Sequence, residues 1–254
     1  VIVPASSLVV HPEGGTYGGS IALGKSKKLS PVIGSAYGKP SNKKLVWDYS
    51  VNDDVALTAA LKASKAVKIS SKGKVSINKT KWNSVRKASD IRYQDILYVT
   101  ATTTDGTGLS DTIPLFVHKC PTLMALCGTS PDSVRKDIEV NAGDLWINDG
   151  DGEWVGSMDI YVAVDTLTLS PTDVEVKSSN PNLIGVKPLG PYVNSSNQIV
   201  LANYRNSSGE RLVSFMMFEL VAANTDVPRK GSAKITVKLL DGSNKKFSFM
   251  VYLR

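Results

Sequence analysis

The sequence predicts an all-β protein made of two tandem β-sandwich domains. Three observations lead there. Val, Ile, Thr and Tyr alternate with Lys and Ser in short runs, and Gly, Asn, Asp and Pro interrupt those runs at close intervals, the pattern of many short strands joined by turns. Long helical periodicity is nearly absent. The length of 254 residues suits two domains of ordinary size, and the 42% of apolar residues suffices for two buried cores. Alternation turns one face of each strand inward, so two sheets must pack face to face to bury those faces.

In the first half, residues 6–10 read as an opening strand, and Pro12-Glu13-Gly14-Gly15 turns the chain. Residues 21–32 cover a turn and the next strand. Residues 43–50, Lys-Lys-Leu-Val-Trp-Asp-Tyr-Ser, alternate and carry Trp47. Residues 53–61 are the best helical segment, with an acidic cap and Leu57 and Leu61 four apart. A second, weaker helical candidate runs from about 79 to 88. Between them lie strands at 67–70 and 74–77, split by Lys72-Gly73. A strong strand follows at 96–103, then the tight turn Asp105-Gly106 and a closing strand at about 110–117.

That order of segments carries a resemblance. Gly24-Lys25-Ser26-Lys27-Lys28-Leu29 precedes the Trp47 strand. Val67-Lys68-Ile69-Ser70-Ser71-Lys72-Gly73-Lys74-Val75 follows, and Tyr98-Val99-Thr100-Ala101-Thr102-Thr103-Thr104-Asp105-Gly106 ends the series. Residues 3–117 thus resemble the group-2 family of bacterial Ig-like domains, found in stalks of intimin- and invasin-type adhesins and in gut-bacterial surface proteins. Here Trp47 is followed by Asp48-Tyr49-Ser50 instead of directly by Ser, and the helical inserts lengthen the usual spacing. The resemblance implies two immunoglobulin-like sandwiches, with short helical insertions in the first. It also implies an extracellular, cell-surface or secreted location in a bacterium, and a non-catalytic role as stalk or scaffold. Trp47 would be the core Trp between the sheets.

The second half reads as a divergent copy. Residues 174–181 resemble the Trp47 segment, and residues 230–237 the penultimate strand. Asp241-Gly242 then turns into a closing strand at 247–253. This internal repetition gives domains at 1–119 and 120–254. Residues 182–211 are atypical. The junction, about 119–137, holds the only two cysteines, Cys120 and Cys127. Their spacing permits a small disulfide loop that would tie down a linker; two half-buried thiols are the alternative. Residues 123–126 could add an edge strand. No run of 18 apolar residues occurs, so no membrane-spanning segment is expected. The N-terminus lacks the features of a signal peptide, so a mature or excised piece is expected.

Charge is unevenly spread. Residues 1–119 hold 17 Lys and Arg against 8 Asp and Glu, a net of +9, whereas residues 120–254 hold 13 against 15, a net of −2. A basic half beside a nearly neutral half suits contact with an anionic partner, although Lys also protects solvent-facing strand edges. Lys72, Lys74, Lys79, Lys81 and Trp82 form the densest basic and aromatic cluster and are the candidate ligand-binding residues. Trp146 and Trp154 are further exposed-aromatic candidates. The matching partners are a glycan, a cell-wall polymer or a host surface protein; nucleic acid is not expected, and the chain is expected to be a monomer.

Signals for catalysis are weak. His11 and His118 lie in no metal-binding pattern, and no phosphate loop or nucleophile elbow occurs. His118 and Cys120 share a strand face but have no third orienting group. Asn148-Asp149-Gly150-Asp151-Gly152-Glu153 partly resembles a calcium loop but fails its register, which favours a hairpin turn. No enzyme, metal or cofactor is expected. Asn78-Lys79-Thr80, Asn194-Ser195-Ser196 and Asn206-Ser207-Ser208 match glycosylation acceptors and read as polar loops.

Overall fold

The structure is a computed structural model. It describes residues 2–12, 18–88, 90–131, 135–141, 147–148, 154–167, 170–206, 209–222 and 229–254. The chain divides after Cys120 into two compact units. The first comprises Val1–Cys120 with Leu240–Ser243, and the second Pro121–Leu239 with Asn244–Arg254.

Among the described residues, the first unit has eight strands in two sheets. β1 (Ser7–Pro12), β3 (Ser26–Gly34), β6 (Lys74–Ile77) and β5 (Val67–Ile69) pair in the order β1-β3-β6-β5. β2 (Gly19–Ala22), β8 (Ser110–His118), β7 (Gln94–Thr103) and β4 (Leu45–Val51) pair in the order β2-β8-β7-β4. All pairings are antiparallel except β2 with β8, which is parallel. This is the strand order of an immunoglobulin-like sandwich, with the opening strand split between the two sheets. The sequence runs residues 21–32 as a turn and one strand. The structure instead ends β2 at Ala22, where Gly24 at φ +79° turns the chain from one sheet to the other.

Alternation decides what is buried. β7 shows a strict in–out pattern, and its inward Leu97, Val99 and Ala101 join Ile113, Leu115 and Val117 of β8. Across the core, Leu8, Val10, Leu29, Val75 and Ile77 supply the facing layer. Lys27 also faces inward, and its ammonium donates to the Ser20 carbonyl. Among the described residues, two helices lie in the connections. α1 (Val55–Ser64) starts where the Asp54 carboxylate accepts from the Leu57 amide, ends at Lys65 in the left-handed region, and buries Leu61. α2 (Lys79–Val85) is capped by Asn78 and buries Trp82.

The second unit repeats this order. β9 (Met124–Gly128), β13 (Ser157–Val164), β17 (Gly209–Ala222) and β15 (Ile184–Pro191) form one sheet, in the order β15-β17-β13-β9. β10 (Ile138–Val140), β19 (Lys246–Leu253), β18 (Gly231–Leu239) and β14 (Val174–Ser178) form the other, in the order β10-β19-β18-β14, with β10 parallel to β19. Of residues 123–126, a candidate edge strand, Met124, Ala125 and Leu126 belong to β9 and Leu123 precedes it. β11 (Ile147–Asn148) and β12 (Trp154–Val155) pair antiparallel as a two-stranded sheet. The inward residues of the two main sheets, among them Ile160, Phe218, Ile235 and Val251, form one core.

The atypical stretch at 182–211 has a structural cause. After β15 the chain returns through β16 (Leu201–Asn206), which pairs with the first part of β17. β16 extends the sheet beside β17 and adds its own side chains to the outward face. Cys127, Ala163, Val213 and Phe215 point to that face and pack with Tyr204, Tyr192 and Tyr161 into a second apolar cluster. Tyr161 and Tyr192 meet edge to face, with ring centroids 5.3 Å apart. A sheet buried on both faces needs near-continuous apolar strands, which explains Val213-Ser214-Phe215-Met216-Met217-Phe218 in β17. Cys127 is fully buried here and Cys120 is half-buried; no disulfide joins them.

Among the described residues no helix is long and apolar enough to cross a membrane.

Candidate functional site

The five candidate ligand residues part company in the structure. Trp82, expected on the ligand surface, is instead fully buried in the first core. The reason is helical geometry: in the short α2 the single large apolar side chain turns inward while Lys79 and Lys81 stay in solvent. Its indole N–H donates to the Tyr93 hydroxyl at 2.7 Å, which donates in turn to the Asp95 carboxylate. Asp95 is wholly buried and also accepts from Arg86 at 2.7 Å and from the Asn52 amide at 2.5 Å. This network fixes the connection that carries α2.

Trp47, expected between the sheets, is only partly buried. Its ring packs on the first core, and its edge lies against Gly73 in the β5–β6 turn. A Cβ at Gly73 would come within 2.9 Å of the Trp47 ring, and Gly73 has φ +77°. Close approach and backbone angle together account for a glycine at that position.

Lys72, Lys74, Lys79 and Lys81 are all exposed. Lys74 sits opposite Lys28 on the outer face of the β1-β3-β6-β5 sheet. Lys81 lines a depression of about 300 Å³ together with Lys25, Lys65 and Lys68, which the sequence reading did not single out. Ser26 and Ser76 face each other on the sheet beneath, with hydroxyl oxygens 2.8 Å apart. Three separate segments meet here: the start of β3, the end of α1 running into β5, and the end of β6 running into α2. Among the described residues no carboxylate lies within ion-pair distance of these four lysines.

A second depression, of about 570 Å³, lies between α1 and the β4–β7 face and is electrostatically different. Its lysine, Lys62, is 2.6 Å from the Asp48 carboxylate and lies over the Tyr49 ring. Burial tends to raise the Asp48 pKa, but the Lys62 hydrogen bond and charge hold it below the usual value. Burial, aided by the Asp48 charge, pushes the Tyr49 hydroxyl up to about 12. In this depression the one lysine is paired with a carboxylate and Asp53 and Asp54 add two more, whereas the first is lined by four lysines and, among the described residues, no carboxylate.

Among the described residues no cluster of three or more His, Cys, Asp or Glu could hold a metal ion. Residues 149–153 of the calcium-like loop, Trp146, the Trp154 side chain and Ser207-Ser208 lie outside the described residues.

No family model matches the chain, and no curated protein matches it. Among solved structures, domains 5–6 of the S-layer protein SbsC match at 12% identity and a TM-score of 0.28, covering 99% of each chain. The fibronectin(III)-like modules of Clostridium thermocellum CbhA match at 11% and 0.30, covering 97% of this chain and 94% of that one. CfaE, the adhesive subunit of the CFA/I fimbria of enterotoxigenic Escherichia coli, matches at 12% and 0.32, covering 72% and 63%. The chain spans 30% of the solved fragment holding domains 4–9 of SbsC. Superpositions this loose assign neither family nor function, and the fold rests on the strand pairing itself.

Proposed function

We propose that the chain is a non-catalytic spacer module of a bacterial cell-surface or secreted protein, holding another part of that protein under load. The resemblance of residues 3–117 to group-2 bacterial Ig-like domains supports the setting. The observation that carries the mechanical reading is the parallel pairing in each unit of an opening strand with the closing strand. β2 runs beside β8 from Gly19↔Leu115 to Ala22↔His118, and β10 beside β19 from Ile138↔Val251 to Val140↔Leu253. Tension applied at the ends of a unit pulls such a pair along the strand direction. It loads several hydrogen bonds in shear together instead of peeling them one at a time. Single-molecule stretching of the full chain tests this. Two force peaks are expected, each releasing roughly 40 nm of chain at about 3.3–3.6 Å per residue. Extension without a resisting peak from either unit would contradict the spacer reading.

A second reading is that the first unit binds an anionic polymer. It is supported by the +9 net charge of residues 1–119 and by the outer sheet face on which Lys28, Lys68 and Lys74 stand exposed. Salt-sensitive retention of the chain on an immobilised polyanion is the expected behaviour; no retention at low salt would remove this reading.

A further inference from the structure

The lysine-lined depression has a more specific chemistry than general basicity. Lys25, Lys65, Lys68 and Lys81 surround a volume of about 300 Å³. Like charges gathered around one small space repel one another, and an anion placed among them turns each repulsion into an attraction. All four cations are lysines. An ammonium is a compact charge with three rotatable donors, so several of them can approach the oxygens of a tetrahedral anion from different sides, without the bidentate fork by which arginine meets carboxylate and phosphate alike. The hydroxyl pair of Ser26 and Ser76 adds a donor, because one hydroxyl hydrogen satisfies the mutual contact and the other stays available. Among the described residues no aromatic side chain lines the space, and Trp82 is in the core. Stacking on a base or a sugar ring is therefore not supplied here. The site selects charge and oxygen geometry.

The surroundings extend the charge in one direction. Ser26 pairs with Ser76, and two residues along the same strands Lys28 pairs with Lys74 on the same outward face. Two residues of strand span about 7 Å, so a second pair of ammonium groups stands one step from the depression. Lys72 follows in the β5–β6 turn.

We infer that the depression seats one sulfate or phosphate ester group of a linear polyanion and that the Lys28–Lys74 pair meets the next group along that polymer. This rests on the second reading above and names its seat and ligand class.

The test uses the full chain and three probes: dextran sulfate, poly(glycerol phosphate) and poly-aspartate. It compares the unmodified protein with two triple variants of equal charge change. One is Lys65→Ala, Lys68→Ala, Lys81→Ala at the depression. The other is Lys39→Ala, Lys43→Ala, Lys44→Ala, exposed lysines outside its lining. The depression variant is expected to lose about tenfold or more in affinity for at least one ester polymer, while the control variant changes by no more than about threefold. Thermal unfolding should be unaltered in both, since all six residues are exposed. Preference for one ester polymer identifies the source as sulfate or phosphate, and either preference supports the seat. Equal weakening by the two variants overturns the seat but leaves general polyanion binding in place. Binding of poly-aspartate as tight as that of the ester polymers overturns the sulfate or phosphate ester class. Failure of the unmodified chain to bind any probe at low salt overturns the seat and the second reading together.

Discussion

The two units share a strand order and differ most on one surface. In the first, the outward residues of the central β3–β6 pair are Ser26 opposite Ser76 and Lys28 opposite Lys74. In the second, the equivalent β13–β17 pair carries Ala163 opposite Phe215 and Tyr161 opposite Met217. The connections explain the difference. A short turn around Gly73 joins β5 to β6, whereas β15 reaches β17 through a long return that includes β16. Where the return adds Tyr192, Ala202 and Tyr204 to the outward face, outward positions become a second core; where only a turn exists, they hold lysines and serines. Inward residues build the sandwich in both units, and outward residues record what lies above it.

The largest expected effect breaks that comparison at its apolar end. Phe215→Ala should cost about 3–5 kcal/mol, as for a large side chain lost from a packed core. Ser76→Ala, at the equivalent open position, should stay within about 0.5 kcal/mol. Urea unfolding of both variants measures this, and a cost below about 1 kcal/mol at Phe215 would mean the outward cluster is not a packed core.

A smaller effect separates surface lysines from the buried polar network under them. Asp95→Asn leaves Arg86 and Tyr93 with a weaker acceptor and should cost about 1–3 kcal/mol, with unfolding of the first unit shifted to lower denaturant. Lys81→Ala, one helical position before Trp82, should leave stability within about 0.5 kcal/mol.

The smallest effect appears in alkali. Tyr49 is raised to about 12 in the folded protein from an ordinary 10. A raised pKa means its contribution to stability is fully present below pH 10 and fades as pH climbs toward 12. Tyrosinate absorbance should show a late-titrating group that Tyr49→Phe removes; persistence of the late step in the variant would assign it to another tyrosine.

Much of this fold was legible because its strands alternate. Leu97, Val99 and Ala101 of β7 declare their inward face in the sequence alone, as do Ile235, Val237 and Leu239 of β18. Trp82 was not legible, since its neighbours Lys79, Thr80, Lys81 and Asn83 are polar and a helix of two turns offers too little periodicity to show which way a lone Trp points. Lys25, Lys65 and Lys68 are not legible as a cluster for another reason. They lie on separate segments, and only the pairing of β3, β5 and β6 gathers them beside Lys81. The apolar outward residues of β13 and β17 blurred the alternation of the second unit, because a sheet covered on both sides loses the period-two signal.

The most direct measurement of the difference between the two faces is the alkylation of Cys127, followed by peptide mass spectrometry with and without denaturant. Cys127 points to the covered face of the second unit and is fully buried. The expected result is that Cys127 stays unmodified in the folded chain and reacts promptly once the chain unfolds. Reaction of Cys127 in the folded chain at the rate of the unfolded one would show that its face is open, and the contrast between the two units would fall.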